Sequence, residues 1–250
     1  MKFFKGLLFF LFCFTAAVQA QDQPLRVGIG RFYPPFIMQG ADNELFGFDI
    51  ETAIALCNIM HRTCSFHAMR FKDLIPAIMR QEIDMAINAI SITPERLKLV
   101  NFSNPYLLSY SRFLTHHVYA HQPFHLALLN NKRIGVDADS IFESEVKEMD
   151  IKNPTIVPFY GRHSTEEMLE ALENEKIDFV IMDNPSALYW AANSSGEVQT
   201  VGRPILYGYG LGIAVNLNNN ALLQAINHAL LQYELSNQYI KNYNKYILQF

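Results

Sequence analysis

Apolar and polar positions fall into two distinct rhythms along this chain. Short apolar runs of strand length occur at Leu25-Arg26-Val27-Gly28-Ile29 and again at Lys132-Arg133-Ile134-Gly135-Val136. Residues 82–87, Glu-Ile-Asp-Met-Ala-Ile, find their match in residues 176–181, Lys-Ile-Asp-Phe-Val-Ile. Each of these later strands follows an amphipathic helix, 72–81 in one case and 164–173 in the other. Each also runs into a polar turn and a new helix start. Helical spacing marks residues 48–60 too, through Ile50, Ala53, Ile54, Ala55 and Cys57. Strands alternating with helices predict parallel sheets, and the echo predicts two α/β lobes of similar plan.

Between these units, residues 102–115 look extended and would carry the chain out of the first lobe. Residues 207–215, Tyr-Gly-Tyr-Gly-Leu-Gly-Ile-Ala-Val, would carry it back, their glycines suiting a bend or a close backbone approach. The tail from Asn219 reads as two helices broken near Ser236, returning to the first lobe. The expected division is therefore 21–111 with 208–250 as lobe 1 and 112–207 as lobe 2, with a cleft between them. Ligands of open α/β sheets favour the carboxyl ends of the strands.

Composition narrows the class. The chain has 250 residues, 50% hydrophobic and 18% charged, with a net charge of −4. That is ordinary globular composition and excludes disorder and a disulfide-dense miniprotein. No Lys/Arg-rich run points to nucleic acid. The first twenty residues combine Lys2 and Lys5, an apolar stretch at 6–14, and small residues before a cleavage after Ala20. This is the pattern of a secretory signal peptide, too short for the ~20 apolar residues of a membrane span. Export leaves Cys57 and Cys64, which in an oxidising compartment are most simply a disulfide.

Three groups offer chemistry. Asn88-Ala89-Ile90-Ser91-Ile92-Thr93-Pro94-Glu95-Arg96 follows a strand, and Thr93-Pro94 suits a helix start. Free N–H groups there, with the Ser91 hydroxyl and the Arg96 guanidinium, would make a carboxylate site; the alternative is a capped helix with a surface Arg. Asp183, between a strand and a helix, is either an N-cap or a carboxylate meeting an ammonium across the cleft. Tyr33 and Phe71 are either core residues or rings that stack on a ligand. His116, His117, His121 and His125 lack a carboxylate to complete a metal set, and no nucleotide or hydrolase motif occurs. No cofactor is expected.

In order and combination these residues resemble the periplasmic polar amino acid-binding proteins that feed ABC importers. The similarity runs from about Leu25 to the C-terminal helices. It is densest at Gly47-Phe48-Asp49-Ile50-Glu51, from Leu56-Cys57 to Cys64, from Phe71 to Pro76, and from Ser91 to Arg96. Tyr33-Pro34-Pro35-Phe36 and Gly210-Leu211-Gly212-Ile213-Ala214-Val215 add to it. The cysteine spacing looks like the arginine-binding and lysine/arginine/ornithine-binding members.

The resemblance implies a two-lobe Venus-flytrap α/β fold, each lobe a mainly parallel sheet flanked by helices, joined by two crossovers. It implies that Arg96, Ser91 and the Ala89 backbone hold an α-carboxylate. Asp183 and the Asn88 carbonyl would hold the α-ammonium, and Tyr33 and Phe71 would sandwich the side chain. Asp137 to Phe142 would close over the ligand. Arginine-type members place an acid where this chain has Gly30, and a hydroxyl where it has Ile141. Asp137 or Asp139, beside Ser140, would then receive a cationic side chain. The expected function is capture of an L-amino acid (arginine, lysine or ornithine) by a periplasmic monomer for an ABC permease, without catalysis. A dehydratase on the same scaffold, or a ligand-presenting sensor, is the alternative.

Overall fold

The computed structural model describes residues 23–116, 119, 123–138, 140–160 and 163–250. The expected leader and its cleavage point, Asp139, His117 and His121 lie outside the described residues. In chain order the first half runs β1 (Leu25–Ile29), β2 (Met38–Gln39), β3 (Leu45–Phe46), α1 (Phe48–Ile59), β4 (Cys64–Ala68) and α2 (Phe71–Met79). It continues through β5 (Met85–Ala86), α3 (Pro94–Leu97) and β6 (Asn101–Phe102). The middle holds β7 (Tyr110–His116), β8 (Arg133–Asp137), α4 (Phe142–Glu148), β9 (Thr155–Phe159), α5 (Ser164–Glu173), β10 (Phe179–Asp183), α6 (Asn184–Asn193) and β11 (Val198–Leu206). The chain ends with β12 (Ala214–Val215), α7 (Asn220–Glu234) and α8 (Asn237–Tyr246).

Two five-stranded sheets result, ordered β4-β1-β5-β12-β6 and β11-β7-β10-β8-β9. In the first, β1 runs parallel to β4 and β5, while β12 is antiparallel to β5 and β6. In the second, β8 runs parallel to β9 and β10, while β7 is antiparallel to β10 and β11. Each lobe thus has a parallel heart of three strands. The four antiparallel strands flank the two crossovers, where the chain leaves one sheet and enters the other, so both sheets are mixed.

The sequence echo has a physical content that periodicity alone does not reveal. In the first lobe Asp84 accepts from the Arg26 amide and guanidinium, at 2.8 and 2.7 Å. In the second, Asp178 accepts from the Arg133 amide and guanidinium, at 2.8 and 3.0 Å. Ile83 lies against Gly28, and Ile177 lies against Gly135 in the same way. The Arg-x-Gly of one strand and the Ile-Asp before its neighbour are therefore two halves of one contact. The same contact moves the strand bounds. Residues 82–84 turn to present Asp84, leaving only Met85–Ala86 as strand, and β10 begins after Asp178.

Helix α1 is buried along Phe48, Ile50, Ala53, Leu56 and Cys57, and the Cys57–Cys64 disulfide ties its last turn to the start of β4. The tail packs on this helix as expected, and Ser236 caps α8 by accepting from the Tyr239 amide at 3.2 Å. The first sheet is covered on one face by α1, α7 and α8 and on the other by α2, while the second lobe has its own core around Phe113, Ile134, Leu172 and Phe179. No described helix is long and apolar enough to cross a membrane.

Candidate ligand-binding cleft

A cavity of about 250 Å3 lies between the lobes, at the carboxyl ends of β1, β8 and β10. The first-lobe wall includes Tyr33, Phe71, Asn88, Ala89, Ser91 and Arg96; the second-lobe wall includes Asp137, Ser140 and Asp183. The structure therefore gathers every described residue that the sequence nominated. Asp139 is outside the description.

Arg96 owes its place to the short helix α3, whose N-cap Thr93 accepts from the Arg96 amide at 3.3 Å, with Pro94 in the first turn. The side chain turns back into the cleft instead of out to solvent. Its Nη1 donates to the Ser91 carbonyl at 3.0 Å, and the guanidinium stands 5.3 Å from the centre of the Phe71 ring. No carboxylate among the described residues reaches ion-pair distance of it. Ser91 Oγ shares a hydrogen bond of 3.1 Å with Ser109 Oγ.

Two predicted roles need correction. The Ala89 amide donates to Asp49 Oδ2 at 2.6 Å, with Ala89 held at a φ of 46°, so its N–H faces the protein interior. It is not available for a ligand carboxylate. Ser140 Oγ donates to the Asp137 carbonyl at 2.5 Å and accepts from the Phe142 amide at 3.2 Å, so this hydroxyl shapes the loop. The Asn88 side chain is also engaged, accepting from the Gly30 amide at 2.5 Å and filling the space a Gly30 side chain would need.

Asp183 resolves the other open choice. It stands at the N-cap position of α6 but makes no side-chain cap. Its carboxylate instead accepts from Tyr33 Oη of the opposite lobe at 2.7 Å. The cleft thus opposes a guanidinium on one wall to a carboxylate on the other, with a phenol seated on the carboxylate.

The sequence from 25 to 249 matches the bacterial extracellular solute-binding proteins, family 3. The chain belongs to that family. It is 32% identical over 231 residues to ABC transporter arginine-binding protein 1 of Escherichia coli, covering 91% of this chain and 92% of that one. It is 31% identical to the arginine-binding periplasmic protein of Mannheimia haemolytica, over 97% of this chain and 98% of the relative. Among solved structures, a periplasmic binding protein of Salmonella typhimurium described for its high arginine specificity superimposes with a TM-score of 0.81 at 29% identity. That match covers 90% of this chain and 99% of the other.

The electrostatics of this solute-binding protein follow from burial. Asp183 is only 5% exposed, and burial pushes its carboxyl up to about 7 although Tyr33 and Arg96 both favour the ionised form. Burial likewise holds Arg96 down to about 10. Each group lacks the counter-charge that would repay its desolvation. A zwitterion placed between them would supply both.

Sequence reasoning passed over several residues. Asp49 is fully buried, holds the Ala89 amide and accepts from Tyr106 Oη at 2.8 Å, and burial pushes its carboxyl to about 7. Its signal was a carboxylate inside the apolar start of α1. Glu145, buried beside Ser111, is also pushed to about 7 by burial, and one of its oxygens has no partner. Ser164 and Thr165 line the second-lobe wall, where their sequence reads as an ordinary helix start. His116 lies between Glu175 and Glu197, and the described residues hold no metal-like cluster of three or more ligating side chains.

Proposed function

We propose that this protein captures a cationic L-amino acid, arginine foremost, in the interlobe cleft and delivers it to the membrane permease of an ABC importer. The observation that carries the reading is the opposition of Arg96 and Asp183 across one small cavity. A buried ion without a partner is strongly disfavoured, so the site selects a ligand bearing both charges at once. Arg96 and the Ser91 hydroxyl receive the α-carboxylate. Asp183 receives the α-ammonium with the Asn88 carbonyl, and Tyr33 and Phe71 flank the side chain. Asp137 lies on the wall that meets the ligand's far end, and Asp139, two positions on in the sequence, is the alternative acid for it.

We place the lobes at 21–111 with 208–250 and at 112–207, except that Tyr110 and Ser111 open β7 of the second lobe, and the two move about the crossovers. The ligand favours closure through its greater affinity for the closed state. The protein works as a monomer in the periplasm after cleavage behind Ala20. The arginine-binding relatives support transport over a dehydratase, and the cleft presents its charges as a zwitterion site.

A thermal-shift screen of residues 21–250 against the twenty amino acids and ornithine tests this. A ligand present at a thousandfold its Kd stabilises the native state by about 4 kcal/mol. Arginine, lysine or ornithine should give the largest shifts. A dominant shift with a neutral or acidic amino acid would overturn the cationic assignment, and no shift with any would overturn the amino acid reading.

A further inference from the structure

We infer that Ser164 and Thr165, in the first turn of α5, form with Asp137 the seat for the charged end of the ligand's side chain. This seat sets the side-chain length that the cleft prefers. The inference rests on the cationic reading above and names residues that the reading does not require.

Ser164 is 8% exposed and Thr165 3% exposed, and both line the cleft. Neither hydroxyl has a hydrogen-bond partner among the described residues. Neither oxygen is sealed from solvent, so both hydroxyls open on the cleft, where a ligand's donor can reach them. Helix α5 has ten residues and starts at the cleft.

The packing of α5 brings these hydroxyls to Asp137. Met168 Cγ lies 3.0 Å from the point where a Gly135 side chain would begin. The helix returns from β9 to β10, two parallel neighbours of β8, and so runs against the strand direction. Stepping back four residues in the helix, about 6 Å, leads to Ser164. Two residues onward in the strand, about 6.6 Å on the same face, lead to Asp137. The carboxylate and the two hydroxyls therefore share one corner of the second lobe.

Charge determines what that corner takes. Arg31 and Lys72 stand exposed along the first-lobe rim of the cleft, where Arg70 is paired with Asp73, so a ligand cation is directed to the second-lobe wall. The described acids lining the cleft are Asp183, assigned to the ammonium, and Asp137. Gly30 adds none, and Asn88 occupies its side-chain space. Hydroxyl oxygens accept from a guanidinium or ammonium, and Glu166 and Glu167 on the same turn offset the positive end of the helix.

Strand order supplies the ruler. From Asp183 on β10 the next strand is β8, ending at Asp137, and the one beyond is β9, which leads into α5. Neighbouring strands stand about 4.8 Å apart. A ligand whose ammonium rests at Asp183 must therefore extend its side chain at least one strand spacing to reach the corner. Arginine does this with reach to spare, and its analogue one methylene shorter carries its guanidinium one bond less far into the corner.

Calorimetric titration of the mature protein with arginine, 2-amino-4-guanidinobutanoate, lysine and glutamate tests the inference in wild type and in Ser164→Ala, Thr165→Val, Thr165→Ser and Asp137→Asn. Losing a hydrogen bond to a charged group predicts roughly tenfold weaker arginine binding in Ser164→Ala or Thr165→Val. Asp137→Asn should lose more. The shorter analogue should bind wild type weakly and change little in the variants, and Thr165→Ser should restore arginine affinity. Wild type that binds arginine while Ser164→Ala and Thr165→Val leave its affinity intact overturns this inference and spares the cationic reading. Equal loss for every ligand, accompanied by a lower Tm, assigns the hydroxyls to the fold and also overturns it. Failure of wild type to bind either cationic amino acid, or glutamate binding that depends on these hydroxyls, overturns both.

Discussion

Asp183 and Arg96 are each buried without full compensation, and the consequences are measurable one residue at a time. Removing one partner of a buried charge interaction typically costs about 3–5 kcal/mol. Arg96→Ala and Asp183→Asn should therefore weaken arginine at least about a hundredfold while the unliganded protein stays folded, as read by calorimetry and circular dichroism. The pH dependence follows from the raised Asp183 carboxyl. Its folded value of about 7 lies above the unfolded value, so the protonated form favours the fold. That stability is fully present below about pH 4, the unfolded carboxyl range, and is lost as pH rises through 7. Unliganded wild type should lose stability relative to Asp183→Asn between about pH 4 and 7. Arginine affinity should run the other way, falling by up to about tenfold per pH unit below 7, because the ammonium needs the carboxylate. A flat affinity profile would refute the role of Asp183.

At the scale of elements, the repeated Arg–Asp and Gly–Ile contacts explain why two stretches of sequence in each lobe resemble their counterparts in the other. Asp84 and Asp178 each take a backbone amide and a guanidinium, so the pairs lock a parallel strand to the turn that precedes its neighbour. Asp84→Ala and Asp178→Ala should each cost about 1–3 kcal/mol in urea unfolding through the unpaired amide and guanidinium. Gly135→Val should cost a similar amount, about 1–3 kcal/mol, since its side chain would enter space held by Ile177 and Met168. Much of this level was legible beforehand. Helical periodicity placed α1, α5 and the broken tail within a residue or two, because burial of one helix face is written in local spacing. Strands 82–87 and 176–181 were misplaced by a few residues, because Asp84 and Asp178 are drawn to arginines 58 and 45 positions away.

For the whole molecule, the lobes have separate cores and two crossovers, and Tyr33 to Asp183 joins one lobe to the other across the cleft. The phenol occupies the place proposed for the ligand ammonium. Ligand capture then exchanges an internal donor for a charged one, so the ligand need supply only the difference. A hydrogen bond to a charged acceptor contributes about 1.5–3 kcal/mol, so Tyr33→Phe should lower the closed-to-open ratio of the unliganded protein roughly tenfold or more. Small-angle scattering should show a larger radius of gyration for unliganded Tyr33→Phe, and arginine should return it to the wild-type value. An unchanged radius would mean that other contacts hold the lobes together.

What the sequence determined by itself was whatever depends on near neighbours. It encoded the two rhythms of strand and helix, the capped start at Thr93-Pro94, and the cysteine pair at the end of α1. Its motifs also carried the family. Direction and partnership were decided only in the tertiary structure. Whether the Ala89 amide faces ligand or interior depends on Asp49, 40 residues earlier. Whether Asp183 caps a helix or spans the cleft depends on Tyr33, 150 residues away. Whether Ser164 and Thr165 are an ordinary helix start or part of a binding wall depends on the register of α5 against β8. Each is a choice between a local hydrogen bond and a distant one, and it is settled by burial, which no short stretch of chain possesses until both lobes have folded.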